Sequence, residues 1–453
     1  MRDRFFITAC LVIVTLGMIT VAFPEGAASI LVVLAFSTVA LMLFRRFTEE
    51  KDFITTVFLG ALLIRLAFGI FVHSFDLREF FGGDATTYDF RGWRLVDYWT
   101  GNIGSDDMEL QLARSTSGPG WGMHYLVAGI YYLLGRNIFA AQSFCAVFGA
   151  ATAPMVYFCA AKMFKNKKVA KISALAIAFF PSFVIWSSQL MKDGLIIFLL
   201  VLAMTMVLQL QEKFNYGALV LLLFSLFGIM SLRFYIFYMV AIAVAGSFLI
   251  GLTGSLASIV RRTAVLILLG LGLTYLGVIR NASVDFERFG NLESVQRTRQ
   301  DLATSAESGF GADTDVSTAE GAISAVPIGF LYLMFAPFPW EMTNFRQALT
   351  LPEVLLWWAM MPLLVIGLWF AIRQRLRSSI PVLVFSLMLT LAYSIFQGNV
   401  GTAYRQRTQI QVFLFIFISV GITLFLERRE DTRAFSSERR KRLDDGLRTR
   451  IEA

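Results

Sequence analysis

The stretch Gly82-Gly83-Asp84-Ala85-Thr86-Thr87-Tyr88 follows an apolar run that ends near Phe71, in a chain that is otherwise largely apolar. A carboxylate at the mouth of a membrane-crossing helix is placed to act as a general base, taking the proton of an attacking hydroxyl. Further along lie Lys192-Asp193, Arg233, and the pair Arg405 and Arg407. The planar fork of a guanidinium matches phosphate oxygens two at a time and stabilises charge growing on a departing phosphate. Two carboxylates with several cations therefore suit displacement of a lipid phosphate from a sugar. Asp84 would accept the proton, and Asp193 could orient the acceptor or, with Asp84, hold a divalent cation such as Mg or Mn.

Each of these residues also has a plainer role open to it. A Gly-Gly-Asp sequence suits a turn. Asp193 could cap the helix that begins near Gly194, Arg233 could snorkel to lipid headgroups, and Arg405 and Arg407 could anchor their helix to lipid. Tyr88, Asp89 and Lys192 adjoin the acidic positions and join the candidates for substrate contact. Arg65 stands apart, near the middle of an apolar span where a charge is costly, with no intramembrane partner visible in the sequence.

The elements that must position these groups are membrane helices. With 57% hydrophobic residues and repeated apolar runs of membrane-spanning length, the chain reads as an all-α, polytopic integral membrane protein. Cys10, Cys145 and Cys159 all fall in apolar segments, where a thiol behaves as a small hydrophobe, so no disulfide framework is expected. Two histidines, His73 and His124, do not have the spacing of a zinc or haem site. The net charge of +8 reflects basic cytoplasmic loops and gives no reason to invoke nucleic acid.

Flanking charge orients the spans. Segments 5–23 and 28–44 form a hairpin, and Arg45-Arg46 sets its end in the cytoplasm. The first run is read as a retained helix rather than a cleaved leader. Segment 53–71 then exits outward and leaves Asp84 outside, in a loop of 72–137. That loop should hold two helices along the membrane surface, the second, 121–134, rich in Trp121, Tyr125, Tyr131 and Tyr132. Segments 138–164, 169–188, 194–210, 216–230, 235–251 and 263–278 continue the alternation, and 354–372, 382–396 and 410–426 complete it, giving 12 crossings. The polar outer stretch 281–321 is a lid or a flexible loop, and the apolar run 323–335 a re-entrant or surface helix. The domain plan is a hairpin over 1–52, a helical module over 53–280, an outer region over 281–350, terminal spans over 351–426 and a charged cytoplasmic tail over 427–453.

With these motifs in place, the chain resembles the glycosyltransferase C superfamily, which includes the protein O-mannosyltransferases, the catalytic subunit of oligosaccharyltransferase and the aminoarabinose transferase of lipid A. Gly83-Asp84-Ala85-Thr86-Thr87-Tyr88 is similar to the acidic motif of that family's first outer loop. Lys192-Asp193-Gly194-Leu195, after Pro181-Ser182 and Ser187-Ser188, resembles its second acidic region, and Tyr404-Arg405-Gln406-Arg407 its late Arg-Tyr segment. Seven crossings counted from Phe53 agree with the family's shared seven-helix module. An extra hairpin before the module and alanine after Asp84 depart from the pattern, and the alanine weakens a two-acid or metal role at that motif.

The resemblance implies an inverting transferase that moves a sugar from a polyprenyl-phosphate donor to a glycan or protein acceptor on the non-cytoplasmic face, in a bacterial inner membrane. It implies Asp84 as general base, Asp193 as second acid or metal contact, and Arg233, Arg405 and Arg407 as phosphate clamps. A polysaccharide polymerase or ligase would hold substrate through arginines in a long late outer loop, whereas the late loop here, 397–407, is short. A flippase or transporter would need broken, charged midplane helices and often internal repeats, and no convincing repeat is present.

Overall fold

The computed structural model describes residues 17, 26–115, 120–250, 256–275, 291–304, 308–342 and 344–451. Among them the fold is all-helical, with one isolated antiparallel bridge between Gly309 and Asn399. Helices α1 (Gly26–Arg46) and α2 (Lys51–Ser74) lead into the short α3 (Arg78–Phe81), α4 (Asp84–Trp99), α5 (Met108–Arg114) and α6 (Trp121–Leu134). Next come α7 (Ile138–Phe164), α8 (Lys167–Phe179), α9 (Pro181–Ser187), α10 (Lys192–Glu212), α11 (Tyr216–Leu232), α12 (Phe234–Ile250) and α13 (Leu256–Tyr275). Then follow α14 (Leu292–Thr304), α15 (Ala319–Phe335), α16 (Phe345–Gln374), α17 (Leu376–Phe396) and the long α18 (Val400–Ile451).

The expected 12 crossings are not found. Seven helices among the described residues, α1, α2, α7, α10, α16, α17 and α18, are long and apolar enough to cross a membrane, and α8 with α9 makes an eighth if the bent pair counts as one span. Apart from residue 17, segment 5–23 lies outside the described residues. The other three expected crossings fall on α11, α12 and α13, which are apolar but short over their described residues. At 1.5 Å per residue, the 17 residues of α11 rise only about 25 Å, against a hydrocarbon core of about 30 Å. Of the seven crossings expected after Phe53, those on α2, α7, the bent pair α8 and α9, and α10 are long and apolar enough, and the three on α11, α12 and α13 are the short ones. The polar stretch 281–321 is also no plain loop where it is described: it contains α14, whose buried Arg299 donates from Nη1 to the carbonyls of Ile395 and Gln397, each at 2.8 Å.

Burial separates core from periphery. The apolar windows of α10 and α7 are 89% and 78% buried, whereas that of α16 is 22% buried and presents its side chains outward, as a lipid-facing helix does. Small residues let the central helices approach. Gly149 of α7 and Gly194 of α10 both face Ser187, and a Cβ on Gly194 would stand 2.6 Å from the Ser187 Cβ. Such close crossings are how helices associate where lipid offers no hydrophobic driving force.

The same junction explains Arg65. Pro181 has no N–H and pushes the preceding Phe180 into an extended conformation (φ −68°, ψ 129°), so α8 stops and α9 leaves at 54°. The carbonyls of Ile177 and Ala178 thereby lose their helical donors. The Arg65 guanidinium, buried in α2, supplies replacements, with Nη1 to Ala178 O at 2.9 Å and Nη2 to Ile177 O at 3.2 Å, while its Nε donates to Ser187 Oγ at 2.8 Å. A buried cation is thus matched by backbone acceptors that a broken helix had left open.

Candidate active site

Three distant stretches of the chain converge on one guanidinium. Asp84 opens α4 two residues after Gly82, whose φ of +134° lets the chain turn sharply from α3 into the new helix. Lys192 and Asp193 occupy the first turn of α10, where the partial positive charge of the helix start favours a carboxylate. Arg405 lies in the second turn of α18. Its Nη2 donates to Asp84 Oδ2 at 2.7 Å and its Nε donates to Asp193 Oδ2 at 2.7 Å, while Nη2 also stands 2.5 Å from that Asp193 oxygen as an ion-pair contact. The two carboxylate oxygens are therefore no farther apart than the sum of the two Nη2 contacts.

The remaining cations complete the cluster. Arg233, the residue after α11, brings Nη2 to 3.5 Å from Asp193 Oδ1 and packs against the Tyr235 ring. The Lys192 ammonium lies 5.9 Å from the centre of the Tyr88 ring, and Gly120, at φ +84°, closes over both. A Cβ on Gly120 would come within 2.9 Å of Lys192 Nζ, so a side chain there would crowd the ammonium. Burial, reinforced by the Asp84 carboxylate, pushes the Tyr88 phenol up, so its hydroxyl stays protonated and serves as a donor rather than a base. His124, 5.8 Å from Tyr88 between ring centres, is pushed down to about 4 by burial and is neutral near pH 7.

Two features give this cluster a direction. Its carboxylates differ in access: the Asp84 side chain is 43% exposed and that of Asp193 is 0% exposed. In addition, Asp193 Oδ1, Arg233 Nη1 and the Trp186 indole N–H are buried without a hydrogen-bond partner among the described residues. Buried polar atoms without a hydrogen bond are expensive, and a polar ligand at this cluster would satisfy these three. Three cations against two carboxylates leave one net positive charge, which favours an anion. A divalent cation bound by Asp84 and Asp193 would first have to displace Arg405.

Asp84, Tyr88, Lys192, Asp193, Arg233 and Arg405 are thus brought together, while Asp89 and Arg407 are not. Tyr88 is one helical turn beyond Asp84 and shares its face, whereas Asp89 is about 140° around the helix from Asp84. There it accepts from Tyr131 OH at 2.6 Å and pairs with Arg136 at 2.6 Å, tying α4 to α6. Arg407 is about 200° around α18 from Arg405. It points away from the carboxylates and donates to the carbonyls of Met334 and Ala336, each at 3.0 Å, at the C-terminal end of α15. Cations are favoured at that end of a helix. Nor does Asp193 act as the helix cap: Met191 is the N-cap residue, and no side chain caps α10.

Two contributors were missed in the sequence. Trp186 lies under Arg405, with the guanidinium carbon 5.6 Å from its ring centre. Ser182 links α9 to α16 and α18, bonding to Glu353 and lying 3.0 Å from the Tyr404 hydroxyl. In the sequence it stood only within the Pro181-Ser182 stretch that resembles the family's second acidic region, with no role of its own.

The comparisons with known proteins give a family match over part of the chain. Residues 120–277 match the family model described as dolichyl-phosphate-mannose-protein mannosyltransferase. That stretch holds Lys192, Asp193 and Arg233 but neither Asp84 nor Arg405. Among solved structures, the chain is similar to ArnT from Cupriavidus metallidurans, crystallised bound to undecaprenyl phosphate, with 16% identity and a TM-score of 0.44. The similarity covers 68% of this chain and 50% of that one, so the chain spans half the length of that relative. No curated protein matches. The family match agrees with the resemblance to the glycosyltransferase C superfamily found in the sequence.

Proposed function

We propose that this polytopic membrane protein is an inverting glycosyltransferase that takes a sugar from a polyprenyl-phosphate donor and attaches it to an acceptor hydroxyl on the non-cytoplasmic face, in a bacterial inner membrane. The observation that carries the reading is the Arg405 guanidinium shared by Asp84 and Asp193, with Arg233 Nη1 buried and unpaired beside it. The mannosyltransferase family match supports the sugar-transfer class and a lipid-phosphate donor.

The donor phosphate binds where the net positive charge lies, on Arg405 and Arg233 with Lys192 at the side. Phosphate oxygens satisfy Arg233 Nη1 and compete with Asp84 for Arg405 Nη2. Asp84, the exposed carboxylate, is released toward the acceptor. It takes the proton of the acceptor hydroxyl as that oxygen bonds to the anomeric carbon. The bond from that carbon to the phosphate oxygen breaks, its electron pair stays on the phosphate, and the guanidinium groups stabilise the added charge. Attack opposite the leaving phosphate inverts the anomeric centre. Asp193, with no access to solvent, holds Arg405 in register through two contacts. No step in this scheme uses a metal.

The test is mass spectrometry of surface glycans and lipid-linked sugars in a deletion strain and in the same strain carrying Asp84→Asn. We expect a lipid-linked sugar to accumulate in both, with the variant present in the membrane at normal level. An unchanged set of lipid-linked species in the deletion strain overturns the reading.

A further inference from the structure

Far from the carboxylate cluster, a cavity of about 440 Å³ is lined by the last turns of α7 and α10, by Arg262 of α13 and by the junction of α16 and α17. Asp193 and Gln211 stand at opposite ends of α10, separated by about 27 Å of helical rise. That is close to the roughly 30 Å of a hydrocarbon core, so the cavity lies at the other membrane face. Lys162, Arg262, Arg375 and Arg377 against the carboxylate of Glu212 leave its lining three net positive charges. Glu212 is already engaged, by Lys162 at 3.5 Å and by Lys165. Arg262 is buried, and Arg375 and Arg377 have no ion-pair partner among the described residues.

The backbone adds to this charge. Arg375 breaks the path between α16 and α17 (φ −137°, ψ 27°), and no side chain caps α17. Its first three residues, Leu376, Arg377 and Ser378, all line the cavity. N–H groups in the first turn of a helix lack an intrahelical acceptor and, with the helix dipole, favour an anion. These donors and the guanidinium groups brought beside them from separate helices suit one ligand chemistry, that of phosphate oxygens. A cation would be repelled, and a neutral ligand would leave the charges uncompensated.

The surface beside the cavity favours a lipid over a soluble phosphate. Val365, Trp369 and Ile372 follow one another at helical spacing on α16, so they form one stripe, and all three are exposed. The stripe runs to the end of the helix, and the next exposed apolar residue, Leu376, belongs to the cavity wall. An acyl chain lying on this stripe leads to a headgroup in the cavity. Arg373 stands over the Trp369 ring at 4.6 Å and does not line the cavity, although it carries the same charge at the same end of α16.

We propose that this cavity binds the phosphate headgroup of an anionic phospholipid, with an acyl chain along Val365, Trp369 and Ile372. The full chain in detergent is titrated with dioctanoyl phosphatidylglycerol, dioctanoyl phosphatidylcholine and glycerol phosphate, and bound ligand is counted by native mass spectrometry. Phosphatidylglycerol should bind at least about tenfold more tightly than phosphatidylcholine, whose choline cation meets the basic lining, and than glycerol phosphate, which has no acyl chain. A basic residue beside an anionic lipid contributes about fivefold in affinity, so Arg375→Gln and Arg377→Gln should each weaken phosphatidylglycerol binding by about that factor, and the double variant about thirtyfold. Arg373→Gln removes the same charge outside the cavity and should stay within about twofold of wild type.

Equal binding of phosphatidylglycerol and phosphatidylcholine by the wild type overturns the proposal without any variant. Glycerol phosphate binding as tightly as phosphatidylglycerol overturns the lipid assignment, since a soluble phosphate would then be ligand enough. An equal loss from Arg373→Gln and from Arg375→Gln shows attraction to surface charge in general and overturns the site. Arg375 and Arg377 are exposed, so their replacement leaves packing intact. None of these readouts depends on turnover, and the lipid site and the transfer reading therefore fail separately.

Discussion

Replacing Arg405 by lysine keeps the charge of the cluster and removes the fork. Arg405 makes three charged contacts: Nε to Asp193 Oδ2 at 2.7 Å, Nη2 to the same oxygen at 2.5 Å, and Nη2 to Asp84 Oδ2 at 2.7 Å. One ammonium nitrogen can stand at only one of the two nitrogen positions, so at best the Nη2 contacts survive and the Nε contact is lost. A hydrogen bond to a charged group contributes about 1.5–3 kcal/mol, and each 1.4 kcal/mol is about tenfold in rate. Arg405→Lys should therefore slow transfer roughly 10- to 150-fold with normal membrane levels. Arg405→Ala strips Asp193 of its main partner inside the protein, a loss of about 3–5 kcal/mol for a broken buried pair, and should also reduce the folded amount. The assay is a chase: each variant is induced in the deletion strain, and disappearance of the accumulated lipid-linked sugar is timed by mass spectrometry. A lysine variant within about twofold of wild type would show that only charge matters at this position, and the forked contact would lose its place in the mechanism.

Arg65→Met should lower the thermal unfolding midpoint of the protein in detergent, since the carbonyls of Ile177 and Ala178 lose their donors at about 1–3 kcal/mol each. Arg65→Lys should restore part of the loss, and an unshifted midpoint in the methionine variant would refute the assigned role. Asp89→Ala should loosen the tie between α4 and α6, seen as faster proteolysis within 84–134, while turnover per folded molecule holds; a collapse of turnover at full stability would return Asp89 to the site. His124 binds its proton less readily when folded than its ordinary value of 6.5, being pushed down to about 4 by burial. Below pH 6.5 the unfolded chain therefore takes up the proton first, so the stability His124 contributes is complete above that pH and is lost as pH falls toward 4. His124→Gln should flatten the stability profile across that window, and a profile identical to wild type would contradict the shift.

The membrane class and the acidic positions were legible because they depend on composition and on local spacing. Asp84 and Tyr88 are four residues apart, and one helix turn puts them on one face. The crossing count was not legible, because hydropathy marks an apolar run without saying whether its helix continues. Pro181 divides one run into α8 and α9, and α11 ends at Leu232 after 17 residues. Arg65 had no visible partner since its partners are mainly backbone carbonyls, released by a break elsewhere in the chain. Arg407 was grouped with Arg405 by adjacency, yet two residues on a helix point to nearly opposite sides. Trp186 had no charge to draw attention, and only the fold places it beneath Arg405.

In the proposed scheme the exposed base and the phosphate clamp share a single donor group, and this coupling sets an order of events. With no donor bound, Arg405 Nη2 occupies Asp84 Oδ2, one of the two oxygens that would have to receive the acceptor's proton. A phosphate arriving at Arg405 and Arg233 takes over that donor and frees Asp84, so the base becomes effective only when a reacting anomeric carbon is present. Asp193 cannot be released in the same way, because it is fully buried and has a second contact from Arg405 Nε. One carboxylate is therefore exchangeable and the other fixed, a division of labour that follows from their difference in exposure. It also explains why the cluster carries one more cation than it needs for its own acids, since the surplus has its counter-charge only when the donor phosphate is in place.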